Sequence, residues 1–166
     1  MIPLRDHNPT RRFPFINYLL IIFNVAICIY TYTLSLPALE DFFNRFALTP
    51  TIVFQGENLL SFLTSMFLHA GLGHLLGNML FLHIFGDNLE DYFGHFRYLL
   101  FYLACGLAAD FAQIFVDPTS AIPQVGASGA IAGVMGAYML LYPQHRIDIL
   151  FSFGWWYEQT TLPAWK

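Results

Sequence analysis

Phe13-Pro14-Phe15-Ile16-Asn17-Tyr18-Leu19-Leu20-Ile21-Ile22-Phe23-Asn24-Val25-Ala26-Ile27-Cys28-Ile29-Tyr30-Thr31-Tyr32-Thr33-Leu34-Ser35-Leu36 runs for 24 residues without a charge. Roughly 20 apolar residues suffice to cross a bilayer, so a membrane span is predicted over residues 14–36. Arg5, Arg11 and Arg12 precede it. The run is nevertheless too long for a signal-peptide core and no small-x-small cleavage site follows, so it reads as an anchor that stays. Asn17 and Asn24 lie two helical turns apart, share one face, and are expected to turn toward other helices.

The rest of the chain agrees with that start. Of 166 residues, 57% are hydrophobic, 18% aromatic and 11% charged, where an ordinary globular chain carries roughly 25% charged residues. So little charge cannot coat a water-facing surface, which argues against a soluble globule, a disordered chain, a coiled coil or a disulfide scaffold. The length suits one domain, residues 1–166. The net charge of -4 leaves no basic footprint, and no nucleic-acid partner is expected. Cys28 and Cys105 sit in apolar runs and read as small hydrophobes.

Three further spans are predicted, over residues 73–89, 96–116 and 127–142, with Asp117-Pro118 and Pro143 as stops. Residues 37–60 combine Pro37, Glu40, Asp41, Arg45 and Pro50 with Phe42, Phe43, Phe46 and Phe54. They are expected to form an interfacial loop in the headgroup region. The stretch from Ile147 onward, with Trp155, Trp156, Tyr157 and Trp165, reads as an aromatic interfacial belt. Lys and Arg cluster at the N-terminus, with Arg97 and Arg146 on the same side by topology, so the N-terminus is placed in the cytoplasm and the Phe42 and Asp117 loops outside. The fold class is therefore an all-α, polytopic membrane helix bundle.

Two segments carry candidate chemistry. Gly126, Gly129, Gly133 and Gly136 recur at spacings of three, four and three, a stripe along one helix face that lets membrane helices approach closely. That packing role stands as one reading, and on it the stripe serves an oligomer. Ser128 opens the same helix, whose 15 residues to Tyr142 span roughly 22 Å at 1.5 Å each, short of a hydrocarbon core of about 30 Å. The serine is thus expected below the surface, beside free N–H groups of a helix start that suit an oxyanion. In the second span His74 and Asn78 are separated by roughly 40° around the helix, so two donors share a face. His69, His74 and His83 lack an H-E-x-x-H pattern and do not share a face, so no metal and no cofactor are expected. Asp110, an ionisable group inside the third span, is a functional candidate without an evident partner.

Together Thr64-Ser65-Met66-Phe67-Leu68-His69, His74-x-x-x-Asn78, Gly86 with Glu90, and Gly126-Ala127-Ser128-Gly129 leading to Tyr142-Pro143 resemble the rhomboid family of intramembrane serine proteases, over about residues 11–151. The resemblance implies a Ser-His dyad endopeptidase that cuts transmembrane or juxtamembrane segments of membrane-protein substrates in a bilayer, here of bacterial inner-membrane type. Ser128 would be the nucleophile. The Ser128 N–H with the His74 and Asn78 side chains would form the oxyanion hole, and Gly126 and Gly129 would admit close helix approach. It also implies six helices with the base histidine on the sixth, whereas four spans are read here and no histidine follows His145. His145 lies about 25 Å along a helix from Ser128. Asn44-Arg45 is the nearest match to a Trp-Arg pair in the first loop, and Ala132 stands where some members carry an aromatic. The chain is therefore expected to be truncated, with a fifth helix approached at Leu162-Pro163-Ala164-Trp165-Lys166, and to be inactive by itself. The alternative is a pseudoprotease that binds transmembrane helices without cutting them.

Overall fold

The computed structural model describes residues 1–153 and 155–165; Lys166, the last residue of the expected approach to a fifth helix, lies outside them. Seven α-helices and three strands follow in the order β1 (Ile2–Asp6), α1 (Phe15–Tyr32), α2 (Leu36–Phe46), α3 (Pro50–Phe54), α4 (Ser61–Thr64), a 3-10 turn (Ser65–Phe67), α5 (Leu72–Phe93), α6 (His95–Val116), α7 (Ser128–Leu141), β2 (Arg146–Phe153) and β3 (Trp156–Pro163).

By length and composition, Phe15–Thr33 and His95–Val116 are able to cross a membrane, and a third span counts if α4 with its 3-10 turn is joined to α5 across a 92° bend. Two or three spans qualify, against the four expected. The shortfall lies in α7, whose 14 residues extend only about 21 Å. Exposed Leu19, Ile22, Ile29, Leu100, Phe111 and Phe115 give α1 and α6 apolar outer faces, as lipid-facing helices require.

Polar groups fasten the inner faces. Asn17 and Asn24 are fully buried. The Asn17 carboxamide donates to the Leu82 carbonyl at 3.1 Å and accepts from the Tyr98 hydroxyl at 2.8 Å, joining α1, α5 and α6. A Cβ on Gly86 would strike both Asn17 and Tyr98, so this crossing needs a residue without one. Glu90, 1% exposed, accepts from the main-chain N–H groups of Ile16 at 2.9 Å and Asn17 at 2.7 Å and pairs with His95. It thus satisfies donors that the first turn of α1 cannot satisfy internally.

Two expectations are corrected. Residues 37–60 are not a continuous loop but contain α2 and α3. Pro37 sits in the first turn of α2, where its fixed φ and missing N–H suit a helix start, and Phe42 and Phe46 stack one turn apart with ring centroids 4.8 Å from each other. The fold is also not all-α. Residues read as an interfacial belt form β2 and β3, and with β1 they make a three-stranded antiparallel sheet in the order β1-β2-β3. The strand β1 runs from Ile2 opposite Leu150 to Asp6 opposite Ile147.

The sheet is tied to the bundle. Asp6 accepts from Asn88 of α5 and from Tyr138 of α7, each at 2.8 Å. Burial pushes the Asp6 carboxyl upward against those two bonds. Asp148 of β2 is buried and accepts from Thr161 at 2.7 Å, from Arg5 at 2.7 Å and from His7 at 3.0 Å. Hydrogen bonds from Thr161, His7 and Arg5 hold its carboxyl well below the usual carboxylate range. A depressed carboxyl contributes stability that is present above its ordinary pKa and is lost as pH falls through the folded-state value. Protection of β1 and β2 amides, corrected for intrinsic exchange, is therefore expected to weaken as the solution is acidified below the carboxylate range. The Asp148→Asn variant should lose that pH dependence.

Candidate active site

A polar cavity lies where the N-terminus of α7 meets the 3-10 turn and the end of α6. It has a volume of about 300 Å³, and Ser65, Asp110, Gln113, Gln124, Ser128 and Gly129 are among its walls. Local chain geometry explains its position. Gly126 adopts φ +124°, a region that L side chains seldom enter, and its N–H donates to the Ser65 carbonyl at 2.9 Å. The chain then turns through Ala127 into α7 at Ser128. As at any helix start, the first N–H groups there lack intrahelical acceptors.

The segments flanking the cavity are cross-linked. Leu48 and Gln124 exchange main-chain hydrogen bonds, Leu48 N–H to Gln124 at 3.1 Å and Gln124 N–H to Leu48 at 2.8 Å, and Thr51 N–H donates to Ser120 at 3.2 Å. The Phe42 and Asp117 segments thus meet at one end of the bundle.

His74 and Asn78 converge on this turn. A Cβ built on Gly126 would lie 2.7 Å from His74 Cε1, 2.8 Å from His74 Nε2 and 3.8 Å from Asn78 Nδ2. Gly126 is therefore the residue that lets the turn before Ser128 sit against the imidazole. Asn78 is buried while His74 and Ser128 are exposed. The Asn78 carboxamide donates to the His74 carbonyl at 3.1 Å, within its own helix. Among the described residues no hydrogen bond joins Ser128 to His74 or Asn78. His69, 3% exposed, sets its ring at 65° to that of His74 with centroids 5.1 Å apart.

The glycine stripe divides its contacts. A Cβ on Gly129 would meet Ala109, and one on Gly133 would meet Cys105, both on α6, whereas nothing lies within 4 Å of that position on Gly136. Close approach of α7 to α6 therefore rests on the middle two glycines.

Ser65, Gln113 and Gln124 were not singled out as site residues from sequence. Ser65, 2% exposed, has its hydroxyl against the Asp110 carboxyl in the wall of the cavity. The available signal was spacing: Asp110 and Gln113 lie three apart, on one face of a helix. Asp110 thereby acquires a place, in the wall of the Ser128 cavity.

A bundle of long apolar helices with exposed apolar outer faces, with a serine at the start of a short helix, a polar cavity beside it, and a histidine and an asparagine packed on the preceding turn, defines an integral membrane protein. Residues 56–164 match the Rhomboid domain, and the chain belongs to the rhomboid family. It is 36% identical over 104 residues to Rhomboid protease GluP of Bacillus subtilis (strain 168), covering 63% of this chain and 20% of that protein. It is 41% identical over 88 residues to RHOMBOID-like protein 6, mitochondrial, of Arabidopsis thaliana, covering 52% and 28%. It is 37% identical over 93 residues to Rhomboid-related protein 2 of Mus musculus, covering 56% and 30%. The chain thus spans less than a third of the length of these curated relatives.

Substituting Gly126→Ala combines a disfavoured φ with a clash against His74, and strain of this kind costs about 1–3 kcal/mol. Thermal unfolding in detergent is expected to shift down by a corresponding amount. Gly136→Ala, which meets open space, should be neutral or stabilising.

Proposed function

We propose that this chain carries the nucleophile and the oxyanion-binding half of an intramembrane serine endopeptidase that cleaves transmembrane or juxtamembrane segments of membrane proteins. The observation that supports this reading best is the Gly126 turn: it rests on His74 and Asn78 two residues before a serine that opens onto a polar cavity. In the proposed reaction the Ser128 hydroxyl attacks the scissile carbonyl. Negative charge gathers on the carbonyl oxygen as the tetrahedral intermediate forms. Donors gathered at that oxygen, the Ser128 N–H with the His74 and Asn78 side chains, stabilise it. For this the Asn78 amide gives up its bond to the His74 carbonyl, or donates its second hydrogen. Ser65, Asp110, Gln113 and Gln124 supply a polar wall beside an otherwise apolar helix pair, as hydrolysis within a bilayer demands water access.

Hydrolysis also needs a base that takes the serine proton and returns it to the leaving amine. His145 follows the far end of α7, about 21 Å of helix from Ser128. His74 cannot serve as base and as oxyanion donor at once. We therefore propose that these 166 residues alone turn over little substrate. That no histidine is hydrogen-bonded to Ser128 among the described residues favours a second reading, in which the cavity side of the bundle holds a transmembrane helix without cutting it. The surplus of arginines at the end that bears the N-terminus supports a cytoplasmic N-terminus, with the site toward the opposite side, and we propose a bacterial-type inner membrane as the setting.

A peptidyl boronic acid, which closes a tetrahedral adduct on a serine oxygen, tests the arrangement. Boron NMR of the purified chain is expected to report an adduct that Ser128→Ala abolishes. Asn78→Ala should weaken it on the order of a hundredfold, the scale of losing one oxyanion donor. An adduct unchanged in Ser128→Ala would remove the serine from the mechanism. A phosphonate probe, which requires an activated serine, should leave Ser128 unlabelled; efficient labelling would show that the base is present after all.

A further inference from the structure

We propose that the end of the bundle opposite Ser128 holds a phosphate-binding site, and that its ligand is the headgroup phosphate of an anionic lipid. A cleft of about 660 Å³ lies where the chain enters α1 and leaves α5 and α7, and Asn8, Arg11, Arg12, Tyr92, Tyr142 and His145 line it with Asp91. The acidic residue would ordinarily neutralise the arginines. Here both of its oxygens are taken by main chain instead: Arg11 N–H donates to one at 3.1 Å and Arg12 N–H to the other at 3.0 Å. Among the described residues, neither guanidinium makes an ion pair. The same carboxylate that fixes the backbone thus leaves two forked donors for an outside acceptor, and a guanidinium fork matches phosphate oxygens two at a time. The Asn8 carboxamide is held at the cleft wall by the Tyr142 hydroxyl, so the two guanidinium groups are the donors the cleft offers.

Two helices begin and two end at this face. Their dipoles cancel to first order, so the arginines set the sign of the potential. Depth points to a lipid as the source of the phosphate. Arg12 precedes α1 by three residues, and Phe13, Phe15 and Phe96 are 70%, 56% and 71% exposed beside it. Apolar rings directly next to paired cations place the cleft at headgroup level. Five of the six described arginines, Arg5, Arg11, Arg12, Arg97 and Arg146, belong to this end of the chain path, and Arg45 to the other.

The test uses the full chain in nanodiscs of phosphatidylcholine containing a minor fraction of phosphatidylglycerol, with retained lipid counted by native mass spectrometry. Phosphatidylglycerol is expected to be enriched on the protein. Enrichment should fall about fivefold for each arginine neutralised in R11Q/R12Q, fall by a smaller factor in R11K/R12K, which keeps the charge and loses the fork, and stay unchanged in R45Q. The backbone bonds to Asp91 survive all these side-chain changes. Equal enrichment in R11Q/R12Q, or an equal loss in R45Q, would overturn the site. Excess inorganic phosphate should leave the bound lipid in place, and displacement by it would overturn the lipid as the ligand. None of these readouts involves Ser128.

Discussion

The Glu90 carboxylate governs how the helices meet. It is buried at the end of α5, receives the first free N–H groups of α1, and pairs with His95 at the start of α6. A charge enclosed among helices is tolerated only with such partners, and here the partners come from three separate elements. Remove the carboxylate and two main-chain donors lose their acceptor, at about 1–3 kcal/mol each for buried groups. Asn17 and Tyr98 extend the same junction one turn deeper, where Gly86 yields the space they need. The geometry of α1, α5 and α6 is thereby set at one end by hydrogen bonds, which have direction, and not by apolar contact, which has little between helices already immersed in lipid.

The opposite end is held in a different way. The shared features are small residues and irregular backbone: Gly129 and Gly133 press α7 onto α6, and Gly126 lets a turn in an unusual conformation rest on the His74 ring. The exchange of bonds between Leu48 and Gln124 fastens the loop before α7 to the segment after α2. A polar hollow survives here because the surrounding loops satisfy one another's backbone and turn side chains such as Ser65, Asp110 and Gln124 toward it.

Much was legible without coordinates. Four long apolar runs announced helices near Phe15–Tyr32, Leu72–Phe93, His95–Val116 and Ser128–Leu141, since hydropathy and breakers act locally along the chain. Asn17, Asn24, His74, Asn78 and Ser128 stood out because polar groups in apolar helices are expensive enough to need a reason. What stayed hidden depended on distant partners. The pairing of Ile2–Asp6 with Ile147–Leu150 joins opposite ends of the sequence, and no local pattern announces such a partner. Ser65 and Gln124 share one cavity although they are remote in the chain, and no local pattern announces that meeting.

The sequence by itself determined that this chain belongs in a bilayer, roughly where its four longer apolar helices lie, and which few polar side chains they carry, because transfer energy and backbone propensity are properties of short stretches. Only the tertiary structure decided that Gly126 abuts His74, that Asp110 lines the Ser128 cavity, and that Asp91 is occupied by backbone, so that Arg11 and Arg12 make no ion pair among the described residues. Each of those facts concerns distance between residues remote in the chain, and distance is fixed by packing and hydrogen-bond direction, which composition and periodicity do not contain.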